Sequence, residues 1–564
     1  MILPAMKKTI AILTVLAAGL PMLAQNVNQT VRVTNEYESR PSDFQKKGLD
    51  MYVPDTLMVF DYKFDYSVFD SPYKGAYEFS PYSVRLTPDA RNVYRNKLYV
   101  RFGAGYSFHP ELDVDSEFKL RDNFSLSVFG TGRGYYGNYR LMDKTLVADR
   151  KNLHNGFDFK DNAGVSGRVN LAAADLTFEV GHDGVFAADR NLGSAYNSAY
   201  AKARIRSTDS DNSFFYYDFG ANYRFGHDDV YYAAADRPKL DEHDIAFYGT
   251  LGPVLDRKYR FLADFWLEQQ LSSGMAISNA TLFKVTPRFE FELGPVSMSA
   301  GAKLDFNSQK TFTVYPDVRA SAYFFKDLLR VYGSLSGDSW INTFHTMKER
   351  NHFFVADNVM LAEGAVPMQV SRERLKGLLG ASAQFRHLAA DLNLGATRMQ
   401  NALADSWFFY KTGNVEDCYT VADYTLLHSD ARASWTSDRF ELVAGAALRH
   451  VVRSGKFAYS APVRMFYAPA LFTGDVSAVY NWNKRIYAGL WLKGSTARTA
   501  CAPAGEDYAK VPGWIEVGVS GRYVFSDKWS AWVQGGNLAM QSVRSDITHV
   551  QAGPYFTLGI TFTL

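Results

Sequence analysis

The side chains able to do chemistry are plentiful, but their spacing is not that of a catalyst. The 11 histidines run from His109 to His549 without a His-Glu-x-x-His helix or a Cys/His quartet, the frames that most often hold zinc. His345 and His352 share a polar stretch with Glu349. Three such donors could form a weak metal site, yet their spacing matches no known ligand frame, and the stretch reads as a solvated loop. Gly130-x-Gly132-x-Gly134 lacks the strand-to-helix setting of a phosphate loop and reads as strand, its small residues relieving crowding in the lumen. Cys418 and Cys501 fall in polar stretches read as loops; export would permit one bridge between them, and two free thiols fit equally. Serines and carboxylates abound without a local nucleophile motif. We assign no catalytic residue, no metal ligand, no cofactor and no enzymatic activity.

Chemistry this diffuse depends on the scaffold that carries it. The chain has 564 residues, 47% hydrophobic and 15% aromatic, with 35 Tyr, 41 Phe and 42 Gly. A mean hydropathy of -0.21 is too polar for a bundle of membrane helices, each needing about 20 apolar residues. Lys and Arg total 61 against 59 Asp and Glu, so no nucleic-acid footprint is visible. The aromatic content excludes disorder. What remains is an all-β protein, and its aromatic and Gly excess points to a transmembrane barrel.

Residues 1–24 read as a secretory signal peptide. Met6-Lys7-Lys8 is a short basic region, the apolar run Thr9–Leu20 follows, and Pro21 breaks it. Cleavage falls between Ala24 and Gln25. The apolar run is too short to span a membrane stably.

From residue 96 to 564, period-2 alternation recurs. Leu98, Val100, Phe102, Ala104 and Tyr106 share one face, with Tyr99, Arg101, Gly103 and Gly105 on the other. Ile515, Val517, Val519, Tyr523 and Phe525 interleave with Glu516, Gly518, Ser520 and Arg522. The cleanest row is the last: Phe556, Leu558, Ile560, Phe562 and Leu564 against Thr557, Gly559, Thr561 and Thr563. A soluble sandwich also alternates, but these strands are long, and short turns at Gly294-Pro295, Ser437–Arg439, Asn483–Arg485 and Ser526–Lys528 take turns with longer polar loops. Aromatic clusters at Phe214–Tyr217, Tyr323–Phe325 and Trp529 with Trp532 suit interfacial girdles. The predicted fold is a transmembrane antiparallel β-barrel of about 22 strands, with 18 to 24 compatible. Loop candidates are Tyr135–Lys160, Ser336–Ser371, Asn401–Glu416 and Ser495–Pro512.

Residues 25–95 are different: alternation breaks, and Pro41, Pro54, Pro72, Pro81 and Pro88 punctuate a short irregular periplasmic segment. Three stretches, Val33–Tyr37, Tyr62–Ser67 and Leu98–Gly105, resemble the opening of Bacteroidota outer-membrane barrels of the TonB-dependent-receptor-like family. The resemblance implies an outer-membrane barrel with a transport role. The stretch before the barrel is much shorter than the folded plug domain of a transporter of that family, so energised import is not implied. Gln29–Val33, faintly like a TonB-contact box, reads as a chance strand-like stretch.

The barrel must also close. Phe556, Leu558, Ile560, Phe562 and Leu564 form the expected closing strand, paired to the first near Leu98–Tyr106, because lipid cannot satisfy an open edge. The same row resembles the terminal signal read by barrel-assembly machinery. Partners expected are therefore outer-membrane lipid and that machinery. Two functional readings follow. In one, the lumen binds or passes a solute past groups such as Arg101, Asp264, Glu268, Lys303, Asp305, Arg319 and Arg522. In the other, the chain is a plug-less scaffold for surface lipoproteins or other outer-membrane proteins. An open pore of this width would leak, so either loops fold inward or a partner covers it.

Overall fold

The computed structural model describes residues 98–564, apart from 143–147, 190–191, 209–213, 233–239, 256–257, 274–278, 309–310, 326–327, 356–369, 410–414, 453–464, 503–507, 545–546 and 548. The signal peptide with Ala24 and Gln25, the 25–95 segment and the family-like stretches within it lie outside the described residues.

In lipid every backbone N–H and C=O must bond within the protein, and a closed antiparallel ladder achieves this without an edge. Among the described residues, 22 strands run in chain order around such a closed ladder, as the alternation predicts. The last, Tyr555–Thr563, pairs with the first, Tyr99–Tyr106, from Tyr99↔Thr563 to Tyr106↔Phe556. Its other edge pairs with Trp529–Gly536. Two further short strands, Ser542–Arg544 and His549–Ala552, pair with each other, and the second joins Phe124–Met142. No helix among the described residues is long and apolar enough to cross a membrane. The crossing is made by strands.

The two faces of each strand separate as the pattern requires. Phe102, Val519, Leu558 and Ile560 are exposed on the outside, whereas Arg101, Asp305, Arg522 and Thr557 are buried on the inside. The short connections share the end where Leu98 and Leu564 exchange backbone hydrogen bonds. Gly294 takes a φ of +56°, and Asn483 and Lys484 take +53° and +57°. Positive φ at both central residues matches the twist of a two-residue hairpin. Phe325, Phe525 and Trp529 are exposed near this end, as a girdle requires. Trp532 differs: it is buried, and the Arg101 guanidinium lies 3.9 Å from the centre of its ring. Its face was set by alternation and not by nearness to a strand end.

Three other expectations are corrected. The loops are shorter than predicted, because Phe124–Met142, Ala148–Asn170, Leu388–Phe409 and Val415–Thr436 run through most of the stretches read as loops around 135–160 and 401–416. These strands reach 23 residues, while about 9 to 11 cross the bilayer. Beyond the lipid both faces are wet, so the apolar row stops while the ladder continues. Cys418 lies within Val415–Thr436 and Cys501 in Ala500–Cys501, both strands and not loops, and no disulfide joins them. Gly132 and Gly134 sit on the outer face beside Phe159: a Cβ on Gly134 would lie 2.7 Å from its ring, whereas one on Gly132 would meet the ring at an ordinary contact of 3.4 Å. Gly134 thus relieves crowding outside the lumen and not within it.

Candidate functional site

Residues 342–355, the described part of the stretch between Leu329–Ile341 and Val370–Phe385, do not form a solvated loop. They contain a short helix, α1 (Phe344–Arg350), capped by Thr343, whose side chain accepts from the Thr346 N–H at 3.1 Å. Phe344, His345, Met347 and Lys348 are buried. Phe344 and Met347 pack with Phe354 against Val185, Tyr196 and Leu240 on one side, with Leu403 and Tyr419 completing the cluster. Tyr419 donates to the Met347 carbonyl at 3.1 Å and meets the Phe354 ring edge-on. Tyr196 and Tyr419 stand on the sixth and sixteenth strands, ten places apart in a ring of 22. One short segment can touch both only by crossing the lumen. We call residues 342–355 the strap.

The wall holds the strap mainly through carboxylates. Glu242 accepts from the Phe344 and His345 N–H groups at 2.7 and 3.0 Å, and from Gln270 at 2.6 Å. These first amides of a helix have no partner within it, so a carboxylate there satisfies them. The Lys348 ammonium is fully buried and donates to Ser194 Oγ at 2.6 Å and to the Phe354 carbonyl at 2.8 Å. Ser194 in turn donates to Asp228 at 2.9 Å. Burial draws the Lys348 ammonium down to about 8, with Asp228 and Asp158 working against it. Arg350 reaches Asp405 at 2.6 Å, and Arg498, from another connection at the same end, meets the same carboxylate at 2.7 Å. His352 bonds to Asp158. The Phe353 ring stacks at 3.7 Å on His549, which contacts Asp189 at 2.9 Å. Met465, Tyr467, Ala502, Val511, Ile547 and Val550 pack into a further cluster, drawn from three of the connections at this end.

His345, Glu349 and His352, read together from sequence, are thus divided. His345 Nε2 lies 3.5 Å from both Asp183 and Glu349, while His352 goes to Asp158. Asp183, His345 and Glu349 bring one donor atom each within 4.8 Å of one another, close enough to surround a metal ion. Protein cations already serve that role. Arg224 donates to Asp183 at 3.0 Å and to His345 Nδ1 at 3.3 Å, and Lys160 holds Glu349 at 2.7 Å. With Nδ1 accepting from a guanidinium, the ring is neutral and its proton is on Nε2, the nitrogen a metal would need. Burial and Arg224 bring His345 down to about 4 against the pull of Glu349 and Asp183. Burial favours the neutral Glu349, but His345, Lys160 and Arg224 outweigh it and hold its carboxyl below the usual range. The trio is an ion-pair fastening. Asp183 was invisible to sequence reasoning because it stands more than a hundred residues from the helix.

The remaining lumen candidates also meet wall partners. Arg101 reaches Glu111 at 3.4 Å, Arg288 reaches Asp264 at 3.0 Å, Lys303 reaches Asp338 at 3.0 Å and Arg319 reaches Asp317 at 3.1 Å.

No protein-family model matches the chain, and no curated protein sequence matches it. Solved structures do. A ferric enterobactin receptor from Pseudomonas aeruginosa superposes with a TM-score of 0.59 at 10% identity, over 83% of this chain and 80% of its own. The copper transporter OprC gives 0.61 at 11% identity, over 83% and 80%. A siderophore receptor from Acinetobacter baumannii gives 0.58 at 9% identity, over 84% and 81%. At such identities the likeness is one of fold. The chain shares their fold, a closed antiparallel barrel of 22 strands.

Proposed function

We propose that this barrel is a non-enzymatic, receptor-like transport protein that binds a solute at the outer membrane and admits it through a lumen closed by its own strap. The carrying observation is α1, which touches opposite walls through Tyr196 and Tyr419. Any barrel this wide must be sealed, but only a conduit needs a seal that opens, and a strap fastened by side chains rather than by the strand ladder supports that reading. Proteins of similar fold, a siderophore receptor and a transporter of copper, support the same reading. The terminal row from Phe556 to Leu564 serves, in this proposal, both to close the barrel and to present it to the assembly machinery.

The test is electrical. Purified protein in planar bilayers should show small, brief openings, and replacement of residues 344–353 by a Gly-Ser linker should give large, steady conductance. A strap-less barrel that folds but does not conduct would overturn the proposal.

A further inference from the structure

The outer face of the barrel is not evenly filled. Along Leu192–Ser207 the outward row includes Ala199, Ala201 and Ala203, all exposed. Large side chains flank this row, with Val180 and Tyr223 standing on either side of Ala201. Ala203 is paired with Ala221, and there the trough widens into a hollow of about 430 Å³. Gly249 lets it form: a Cβ there would lie 2.3 Å from the Phe219 ring, which instead lies down over the glycine. Leu176 and Ile205 line the end nearer the short turns, and Phe247, Phe265 and Phe283 line the far side. Arg204 also borders the hollow, but its guanidinium turns inward to Asp218, at 2.7 Å from Nε. Tyr248 likewise stacks on Trp266, at 5.6 Å.

We propose that this hollow is a lipid site, holding one acyl chain of a phospholipid from the periplasmic leaflet as a retained and not a passing lipid. The inference rests on the outer-membrane reading above, but not on transport or on the strap. The hollow is continuous with the surface that meets lipid, so hydrocarbon is what reaches it. Water would find no polar partners there. Left empty, the lining would forfeit dispersion contacts on its open side. Its volume lies within the range of small-molecule sites, about 300–1,000 Å³. Lipid tails are as apolar as this lining, so burial alone selects nothing; retention comes from the contacts of a chain seated between side chains on both sides. Depth names the leaflet. Leu176 and Ile205 lie close to Ala174 and Ser207, strand ends on the short-turn side, which in such barrels is periplasmic.

Three barrels are compared after extraction from outer membranes in mild detergent. They are wild type, Ala203→Phe with Ala221→Phe, which fills the hollow, and Ala300→Phe with Ala320→Phe, which adds the same bulk to outward positions elsewhere. Heat-modifiable gel mobility confirms that each is folded. Native mass spectrometry should find one phospholipid on wild type and on the control pair, and loss of that species from the filled pair. Should the filled pair not fold, Ala203→Leu is the milder filling and should give a partial loss. Phospholipid retained undiminished by the filled variants, or absent from wild type, would overturn the proposal. So would a lipopolysaccharide in its place, since that lipid belongs to the opposite leaflet. Wild type missing from the membrane fraction would overturn the membrane reading and the proposal together, whereas the other failures leave the strap and its conductance test untouched.

Discussion

Near the short turns, Arg204 bonds Asp218 fourteen residues away and Lys202 bonds Glu179 twenty-three away, in each case across one strand pairing. At the opposite end, Glu242 meets the amide of Phe344 at a separation of 102, Lys348 meets Ser194 at 154 and His549 meets Asp189 at 360. The first kind of contact forms as the sheet zips, since register alone brings the partners together. The second requires a segment to be ordered afterwards, against its own conformational entropy. The lower wall is therefore fixed with the barrel, and the strap is a separate unit able to open while the barrel stays folded.

Both regions presuppose closure, so the harshest way to break the comparison is to remove it. Deleting Ile560–Leu564 strips Tyr99–Phe102 and Trp529–Ala531 of their partners, leaving two open edges at several kcal/mol per unsatisfied group. We expect no heat-modifiable species and a protease-sensitive product. Normal insertion would show that strand parity does not depend on this row.

A smaller injury tests the faces. Val519→Arg or Ile560→Arg places a charge against lipid, at a cost of about 2–4 kcal/mol near the bilayer midplane. Ser166→Arg faces the lumen opposite Glu179 and should be tolerated, whereas Val165→Arg one residue earlier, on the exposed outer face, should not. Thr561, also an inner-face position, is a poor control, being buried opposite Arg101. Unfolding midpoints in urea compare the four variants. Equal damage at residues 165 and 166 would mean the faces are misassigned.

These faces were legible in the sequence because lipid imposes one rule on every strand, and period-2 rows such as Phe556 to Leu564 record it directly. The strap was not legible. His345, Lys348 and Arg350 look like any polar loop, and their partners Asp183, Ser194, Asp228 and Asp405 are distant in sequence, with nothing local to mark the pairing. Strand extensions such as 148–160 were missed for a related reason: once a strand leaves the bilayer, no solvent difference separates its faces. Trp532 shows the reverse, an aromatic near a strand end that alternation, followed strictly, places inside.

The strap's fastening should depend on pH. His345 lies at about 4 when buried against an ordinary 6.5, so the docked strap binds fewer protons than the released one between those values. The share of docking that rests on His345 is then at full strength above pH 6.5 and weakens as the pH falls toward 4. The lowered carboxyl of Glu349 adds a change of the same sign below its ordinary range. Asp183, Glu349, Arg224 and Tyr196 face the ring, and Lys160 stands behind Glu349. The full effect is at most about 3 kcal/mol. Trypsin cleavage after Arg350 should accelerate between pH 6.5 and 5, once corrected with an unfolded peptide of the same sequence. His345→Gln should flatten that dependence while leaving the barrel's urea midpoint unchanged. An unaltered profile in this variant would remove His345 from the fastening.

The smallest effect belongs to the lower wall. Lys202 and Glu179 approach to 2.9 Å, but their side chains are 46% and 31% exposed, so water screens the pair. Exposed pairs contribute about 0–1 kcal/mol, and Lys202 also lies 4.6 Å from the centre of the Tyr200 ring, an exposed cation–π contact of similar size. Lys202→Met keeps most of the stem and removes both. We expect a loss of about 1 kcal/mol or less, read as a small drop in the urea midpoint, with no change in trypsin access to Arg350. The second half of that expectation is the sharper one. Lys202 lies on the same strand as Ser194 and Tyr196, which hold the strap, so a single rigid body would carry the loss upward and expose Arg350. If strap cleavage accelerates in this variant, the two ends of the lumen are one cooperative unit, and the strap cannot open independently.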